Sequence, residues 1–311
     1  STDWLSFSSK SGAGNGRVVI HASKCEQNKR TATVIIKGNN ISRQLIVTQT
    51  TNGNESYAKS FLTFTVKGVS FNMVFVEGGT FQMGATAEQG EDAEDNEKPV
   101  HSVTLNNYYI GETEVTQELL QAVMEQRPTS DGEQWNNRDG LGSNKPAYYI
   151  SWDDCQAFIK DLNALTGRTF CMPTEAEWEF AARGGTKSKG YKYSGSNTLD
   201  DVAWYYGNSN YHYEGNIAVN DGSHDVATKQ PNELGIYDMS GNVFEWCSDM
   251  EGDYSFDEQR NPIGSTTISN DRIYRSGGWF VVAQCCRVSF RGHWPSYARN
   301  YGPIGLRLAL Q

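Results

Sequence analysis

Enzymatic or metal chemistry needs nucleophiles, titratable groups or ligands at workable spacings, and this chain carries six cysteines and five histidines. The cysteines are Cys25, Cys155, Cys171, Cys247, Cys285 and Cys286. They contain no CxxC pair, and none stands at metal-ligand spacing from a histidine, so they read as free thiols in a core. No HExxH, GxSxG or GxxxxGK[ST] motif occurs. The glycine-rich run at 12–16 has neither the spacing of a phosphate loop nor a helix behind it. The acidic stretch Glu88 to Glu97 does not place a glycine and a terminal glutamate at the spacing of an EF-hand calcium loop and reads as a solvated loop. Trp152, Trp178 and Trp246 are expected in the core.

Composition bounds the rest. With 311 residues, 37% hydrophobic and 21% charged, the chain can bury a large core. A net charge of −10 with no Lys/Arg block excludes a nucleic-acid partner, because phosphate binding needs clustered positive charge. No apolar run reaches the roughly 18 residues that span a bilayer. The chain opens at Ser1 without a leader, as a secreted or surface protein trimmed of its targeting segment would.

Two textures follow one another. From Trp4 to Thr48, β-branched alternating runs (18–22, 31–36, 44–50) are separated by Gly/Asn turns, the pattern of a small all-β immunoglobulin-like sandwich over residues 1–52. Residues 53–60 read as a polar linker. From residue 61 to 311 the pattern is mixed α+β. Phe71 to Met83 alternates like a strand pair around Gly78-Gly79. Three helices carry cap signals: Thr116 before Leu119, Leu120 and Val123; Ser151 with Asp154 three residues on; and Thr174 with Glu177. After Arg183 no further helix is indicated, and the Gly-, Asn- and Tyr-rich remainder reads as ordered loops with short strands.

Trp4-Leu-Ser-Phe-Ser, Arg30-Thr-Ala-Thr-Val-Ile and Val47-Thr-Gln resemble a BACON module of Bacteroidetes surface proteins. That resemblance implies a spacer or a carbohydrate-binding module. A second resemblance spans residues 61–311. It rests on Phe75-Val-Glu-Gly-Gly-Thr-Phe-Gln-Met-Gly, Lys98-Pro-Val-His, Glu112-Thr-Glu-Val-Thr, Pro146-Ala-Tyr-Tyr-Ile-Ser-Trp-Asp-Asp, Met172-Pro-Thr-Glu-Ala-Glu-Trp-Glu, Asn232-Glu-Leu-Gly-Ile-Tyr-Asp-Met-Ser-Gly-Asn-Val-Phe-Glu-Trp and Arg275-Ser-Gly-Gly-Trp. These segments resemble the formylglycine-generating enzyme (sulfatase-modifying factor) family, which implies a C-type-lectin-like fold with much irregular structure.

That resemblance implies two cysteines, about five residues apart after the Gly-Gly turn, holding Cu(I) for oxidation of a substrate cysteine. Cys286 matches the second, but the first falls at Val281 or Val282, which bind no copper. Copper is therefore not expected, and Cys286 remains the sole catalytic candidate. The resemblance also implies a structural Ca2+ held by Asp238, Gly241, Val243 and Glu245, the middle two through carbonyl oxygens. Pairing of Glu245 with a nearby arginine is the competing account.

The C-terminal segment further resembles the variable proteins of diversity-generating retroelements, in which adenine-bearing Asn codons are randomised on this fold. Ala283, Gln284, Cys286, Arg287, Val288, Ser289, Arg291 and Arg299 match a framework. Between them stand Phe280, Val281, Val282, Cys285, Phe290, Gly292, His293, Ser296, Tyr297, Ala298, Asn300, Tyr301 and Gly302, each encodable by a codon ending in C or T. Trp294 is not, and is either framework or a second codon type. The resemblance implies a ligand-binding surface made of these residues, Trp294 included and Gly302 excepted, with Arg287, Arg291 and Arg299 as anchors. The leading expectation is a catalytically inactive surface protein that binds a protein or carbohydrate ligand. A copper-dependent oxidase and a carbohydrate-binding accessory protein are the alternatives.

Overall fold

The computed structural model describes residues 5–7, 20–22, 29–38, 41–50, 59–125, 135–210, 212–214, 217–219, 222–299 and 302–311. The chain divides into two units, Ser1–Phe61 and Leu62–Gln311. In the first, β1 (Leu5–Phe7) pairs antiparallel with β2 (Ile20–Ala22), and β3 (Lys29–Gly38) pairs antiparallel with β4 (Ile41–Thr50). These pairs do not amount to the expected two-sheet sandwich. The turns on which that reading rests, and residues 53–58 of the expected linker, lie outside the described residues. Lys59 and Ser60, assigned to the linker, already begin β5 (Lys59–Val66).

The second unit continues with β6 (Val69–Val76), β7 (Thr80–Met83), β8 (His101–Thr104), β9 (Tyr108–Gly111), α1 (Gln117–Met124), α2 (Trp152–Thr166), β10 (Phe170–Cys171) and α3 (Glu175–Ala182). Then come α4 (Leu199–Val202), β11 (His212–Glu214), β12 (Ile217–Val219), β13 (Phe244–Met250), β14 (Gln259–Arg260), β15 (Asp271–Arg275), β16 (Gly292–Pro295), β17 (Ile304–Leu306) and β18 (Ala309–Leu310). One sheet runs β10-β18-β9-β6-β5, a second β16-β15-β13-β17, and a third β14-β8-β7. Because β17 lies in the second sheet and β18 in the first, the last residues of the chain fasten two sheets together.

The three capped helices form as their sequences direct. The Thr116 hydroxyl accepts the Leu119 N–H, and both Ser151 and Thr174 complete reciprocal capping boxes, with Asp154 and Glu177. Helix α2 buries Cys155, Phe158, Ile159 and Leu162 on one face and ends at Gly167 in the left-handed conformation. Helix α3 differs: all eight of its residues are buried, the glutamates included. The single turn α4 carries no period long enough to be read in advance.

The expected strand pair around Gly78-Gly79 proves to be two strands in different sheets, β6 pairing with β9 and β7 with β8. A side chain on Gly78 would meet the Leu105 carbonyl oxygen at 2.3 Å. The connection between β6 and β7 thus rests directly on the one between β8 and β9, and each strand takes a separate partner. Trp178 and Trp246 are fully buried, as expected of core residues. Trp152 is half-buried and donates its indole N–H to the Cys247 carbonyl at 2.9 Å. Among the described residues, no helix is long and apolar enough to cross a membrane.

The capping box of α2 supports a direct test. Ser151→Ala removes the acceptor for the Asp154 N–H and should lower the urea-measured unfolding free energy by about 1 kcal/mol. Lys160→Ala, on the exposed side of the same helix, should change it by about 0.5 kcal/mol or less.

Candidate ligand-binding site

After β15 the chain turns through Ser276 and Gly277, both at positive φ, makes a 3₁₀ turn at Ala283–Cys286 and returns as β16 beside β15. Gly277 is demanded by packing, since a side chain there would meet the Cys286 sulfur at 2.6 Å.

Three arginines pin this segment, each by a two-pronged grip on a carboxylate. Arg287 donates to both oxygens of Glu97, at 2.7 and 2.5 Å. Arg291 holds Glu175 at 2.8 Å on both oxygens, and Arg299 holds Asp154 at 2.6 and 2.7 Å. Burial alone would raise the Glu97 carboxyl, but Arg287, Ser289 and the Glu94 N–H outweigh it and bring the group below its ordinary range. Glu175 is likewise buried, yet Arg291 and Arg275 hold it at about 2. The anchoring role expected of the three arginines is realised, and their partners were not anticipated. Glu97 in particular belongs to the stretch read as solvated, whereas it is fully buried, as is Gln89.

Between the anchors the side chains separate by exposure. Val282 (52% exposed), Tyr297 (68%) and His293 face solvent. Phe280, Val281, Cys285, Gly292, Trp294 and Ser296 are half-buried. Phe290 and Ala298 are buried, contrary to a display role. The chain from Cys286 to Arg291 is continuously buried, and Phe290 joins the core beside Phe244, ring centroids 6.3 Å apart. Gln284, read as framework, is exposed. Asn300 and Tyr301 lie outside the described residues. The His293 Nδ1 stands 2.8 Å from an Asp271 carboxylate oxygen, across the β15–β16 pair. Trp294 faces Arg272 in the same register, and the Arg272 guanidinium lies over Trp152 at 4.2 Å.

Residues 63–311 match the model of the sulfatase-modifying factor enzyme 1-like domain. The chain belongs to this family. It is 32% identical over 272 residues to the chaperone protein LppX of Paenibacillus barcinonensis, covering 77% of this chain and 89% of that one. It is 28% identical to the formylglycine-generating enzyme of Streptomyces coelicolor, over 76% of this chain and 88% of the relative. Among solved structures, Treponema denticola variable protein 1 superposes with a TM-score of 0.66 at 30% identity, covering 80% of this chain and 98% of that one. The sulfatase-modifying factor family thus fixes the fold of the second unit as mixed α+β and C-type-lectin-like.

The residues present do not fit the family's two-thiolate copper centre. Val281 and Val282 offer no sulfur. The Cys286 thiol is completely buried, and burial, with the neighbouring Cys285, pushes its pKa up.

Nor do Asp238, Gly241, Val243 and Glu245 make a calcium ligand set. Arg307 grips both oxygens of the fully buried Glu245, at 2.6 and 2.9 Å, and the Trp178 indole donates to one of them at 2.6 Å. A divalent cation at that carboxylate would face a guanidinium already in contact with it. The Gly241 carbonyl takes the Ser276 hydroxyl at 3.1 Å. Val243 is wholly buried, and Asp238 accepts the Ala227 N–H at 2.7 Å. Among the described residues, no group of three or more His, Cys, Asp or Glu is placed to hold a metal.

Asp249 borders the anchor network, accepting the Glu175 N–H and the Ser248 hydroxyl, each at 2.9 Å. Burial, and then the charge of Glu175, lifts its carboxyl to about 7. A folded-state pKa above the unfolded one means that the native state binds the extra proton. The contribution is therefore present at low pH and is lost as pH rises from about 4 toward 7. Asp249→Asn should remove this decline: stability profiles of parent and variant between pH 4 and 8, measured by denaturant titration, should diverge progressively up to about pH 7 and run parallel above it.

Proposed function

We propose that this chain is a ligand-binding member of the sulfatase-modifying factor family, using the C-terminal segment as a display surface and performing no cysteine oxidation. The observation that carries the reading is the separation of roles along 280–299. Arg287, Arg291 and Arg299 are committed to buried or half-buried carboxylates, while Val282, His293 and Tyr297 point to solvent. Side chains so placed can change without disturbing the core, the His293 contact with Asp271 being at the surface, and exposed substitutions typically cost about 0.5 kcal/mol or less.

Treponema denticola variable protein 1 supports the same reading by its structural likeness, together with the codon pattern of the segment. Aromatic side chains at the face, Tyr297 exposed and Phe280 and Trp294 half-buried, supply contact area at low entropic cost. An open surface of this kind suits a protein ligand better than a small molecule, which prefers a concave site. We infer a location at the cell surface or outside the cell, a reading supported by the N-terminal segment's resemblance to surface-protein modules, with that segment as a spacer.

Three measurements test the reading. The triple variant Val282→Ser, His293→Ser, Tyr297→Ser should stay within about 1 kcal/mol of the parent in unfolding free energy, whereas Phe290→Ala should cost about 3–5 kcal/mol. A library randomised at Phe280, Val281, Val282, Cys285, His293, Trp294, Ser296 and Tyr297 should remain largely folded and yield binders to a chosen immobilised protein. Predominantly unfolded clones would refute the display role. A peptide of sulfatase type, incubated with the chain, Cu(I) and O2, should gain no aldehyde.

A further inference from the structure

The segment joining β13 to β15 exposes apolar side chains that the fold does not use. Phe256 is 86% exposed, Ile263 74% and Ile268 92%. Single apolar side chains at a surface are ordinary, but three this exposed within one connecting segment are a concentration.

The segment is nevertheless fastened along its length. Its β14 residues pair with β8, and the Asn261 N–H reaches the Thr104 carbonyl at 2.9 Å. Near its start, Arg291 donates to the Gly252 carbonyl at 2.9 Å and lies over the Tyr254 ring at 4.2 Å. At its end, Asn270 accepts the Ser296 N–H at 2.9 Å. Presenting three apolar side chains from a tethered segment lowers the ordering cost of a contact made there.

Its charge is one-sided. Residues 251–271 contain Glu251, Asp253, Asp257, Glu258 and Asp271 against Arg260, with no lysine. Asp257 and Glu258 directly follow Phe256, and both are exposed.

We propose that the segment 252–270 is a second, fixed interaction surface whose occupant is a protein segment combining aliphatic or aromatic side chains with lysine or arginine. Apolar anchors in an acidic frame meet their complement in a basic amphipathic stretch and repel an anionic lipid surface. The surface is continuous with the C-terminal face at one point: Ile268 stands two residues before Asn270, whose carbonyl holds Ser296, and Tyr297 follows. The inference uses no residue of the 280–299 face as a contact, so it stands or falls separately from the display reading.

The test uses the full chain as bait for a phage-displayed random peptide library. Enriched peptides should carry Lys or Arg beside Leu, Ile, Phe or Trp, and their affinity should fall as ionic strength rises. The variant Phe256→Ser, Ile263→Ser, Ile268→Ser should bind them at least tenfold more weakly with an unchanged melting temperature. The C-terminal variant Val282→Ser, His293→Ser, Tyr297→Ser should retain at least part of the binding. Overturning results are equally plain. They are enrichment of acidic peptides, failure to enrich any peptide that discriminates the parent from the loop variant, or loss of binding confined to the C-terminal variant. Sedimentation with phosphatidylglycerol vesicles that depends on Phe256, Ile263 and Ile268 would assign the segment to a membrane and overturn it too.

Discussion

Buried arginines gripping buried carboxylates hold this fold together. Arg275, Arg287 and Arg307 are fully buried and Arg291 nearly so. Removing such charges from water costs several kcal/mol per ion unless every donor finds an acceptor of good geometry. Here nearly all do, and the acceptors include backbone carbonyls of otherwise irregular chain. Arg275 reaches Val288 at 2.6 Å, Arg291 reaches Gly252 at 2.9 Å, and Arg307 reaches both Gly111 and Tyr237 at 2.9 Å. Of these acceptors, Val288, Gly252 and Tyr237 lie outside every strand and helix, so the arginines satisfy carbonyls that no ladder would. The Arg275 Nε is the exception, left without a partner, with the guanidinium 5.2 Å from the Trp178 ring. Long loops become ordered structure because charged side chains supply the hydrogen bonds that regular elements would otherwise provide.

Helix α3 is the hub of that arrangement. Glu175 and Glu179 stand four residues apart, on one face, and close on Arg275 from two sides at 2.7 Å each. Glu175 also takes Arg291, while Glu179 takes Arg183 at 2.8 Å, and the Arg183 guanidinium continues to the Gly84 carbonyl at 2.6 Å. Thr174 and Glu177 close the helix end. A helix with no solvent face thus sets the positions of the C-terminal segment, the β7–β8 region and β13 at once.

The parts of the fold governed by local chemistry were legible in the sequence. Thr116, Ser151 and Thr174 announced three helix starts, and apolar spacing gave the buried face of α2. The alternation of β6 and β7 was visible, but their partners were not. Pairing there depends on the close approach of Gly78 to Leu105, a contact across 27 positions that no local pattern encodes. The same limit applies to the site. That Arg287, Arg291 and Arg299 would be anchors follows from the resemblance to the variable proteins, whereas their partners lie 190, 116 and 145 positions away. Glu97 sits in so acidic a stretch that solvation was the natural reading, and only its distant arginine reverses it. Codon logic says nothing about burial, and Phe290 is buried: the residues on either side of it are both held inside, and it follows them. For the N-terminal segment the β-rich pattern agrees with the described strands, but the turns that would define a sandwich fall outside the described residues.

The Gly-Gly turn shows how far packing alone accounts for a family motif. Gly277 adopts a φ of 94° and approaches Cys286 so closely that a side chain would meet the sulfur at 2.6 Å. Gly278 lies under the Phe280 ring, where an added carbon would be 3.3 Å from it. Arg275, immediately before the turn, is locked into α3. Each part of Arg275-Ser-Gly-Gly-Trp is thereby accounted for by packing and charge neutralisation, Trp279 included, since it is buried against Tyr148 with centroids 5.2 Å apart. Cys286 fits the same account: it is fully buried, its sulfur sits where a side chain on Gly277 would be, and burial pushes its thiol pKa up. The scaffold's demands on sequence end at these positions. Val282, His293 and Tyr297 lie just beyond them and face solvent, His293 keeping a contact with Asp271 at 2.8 Å.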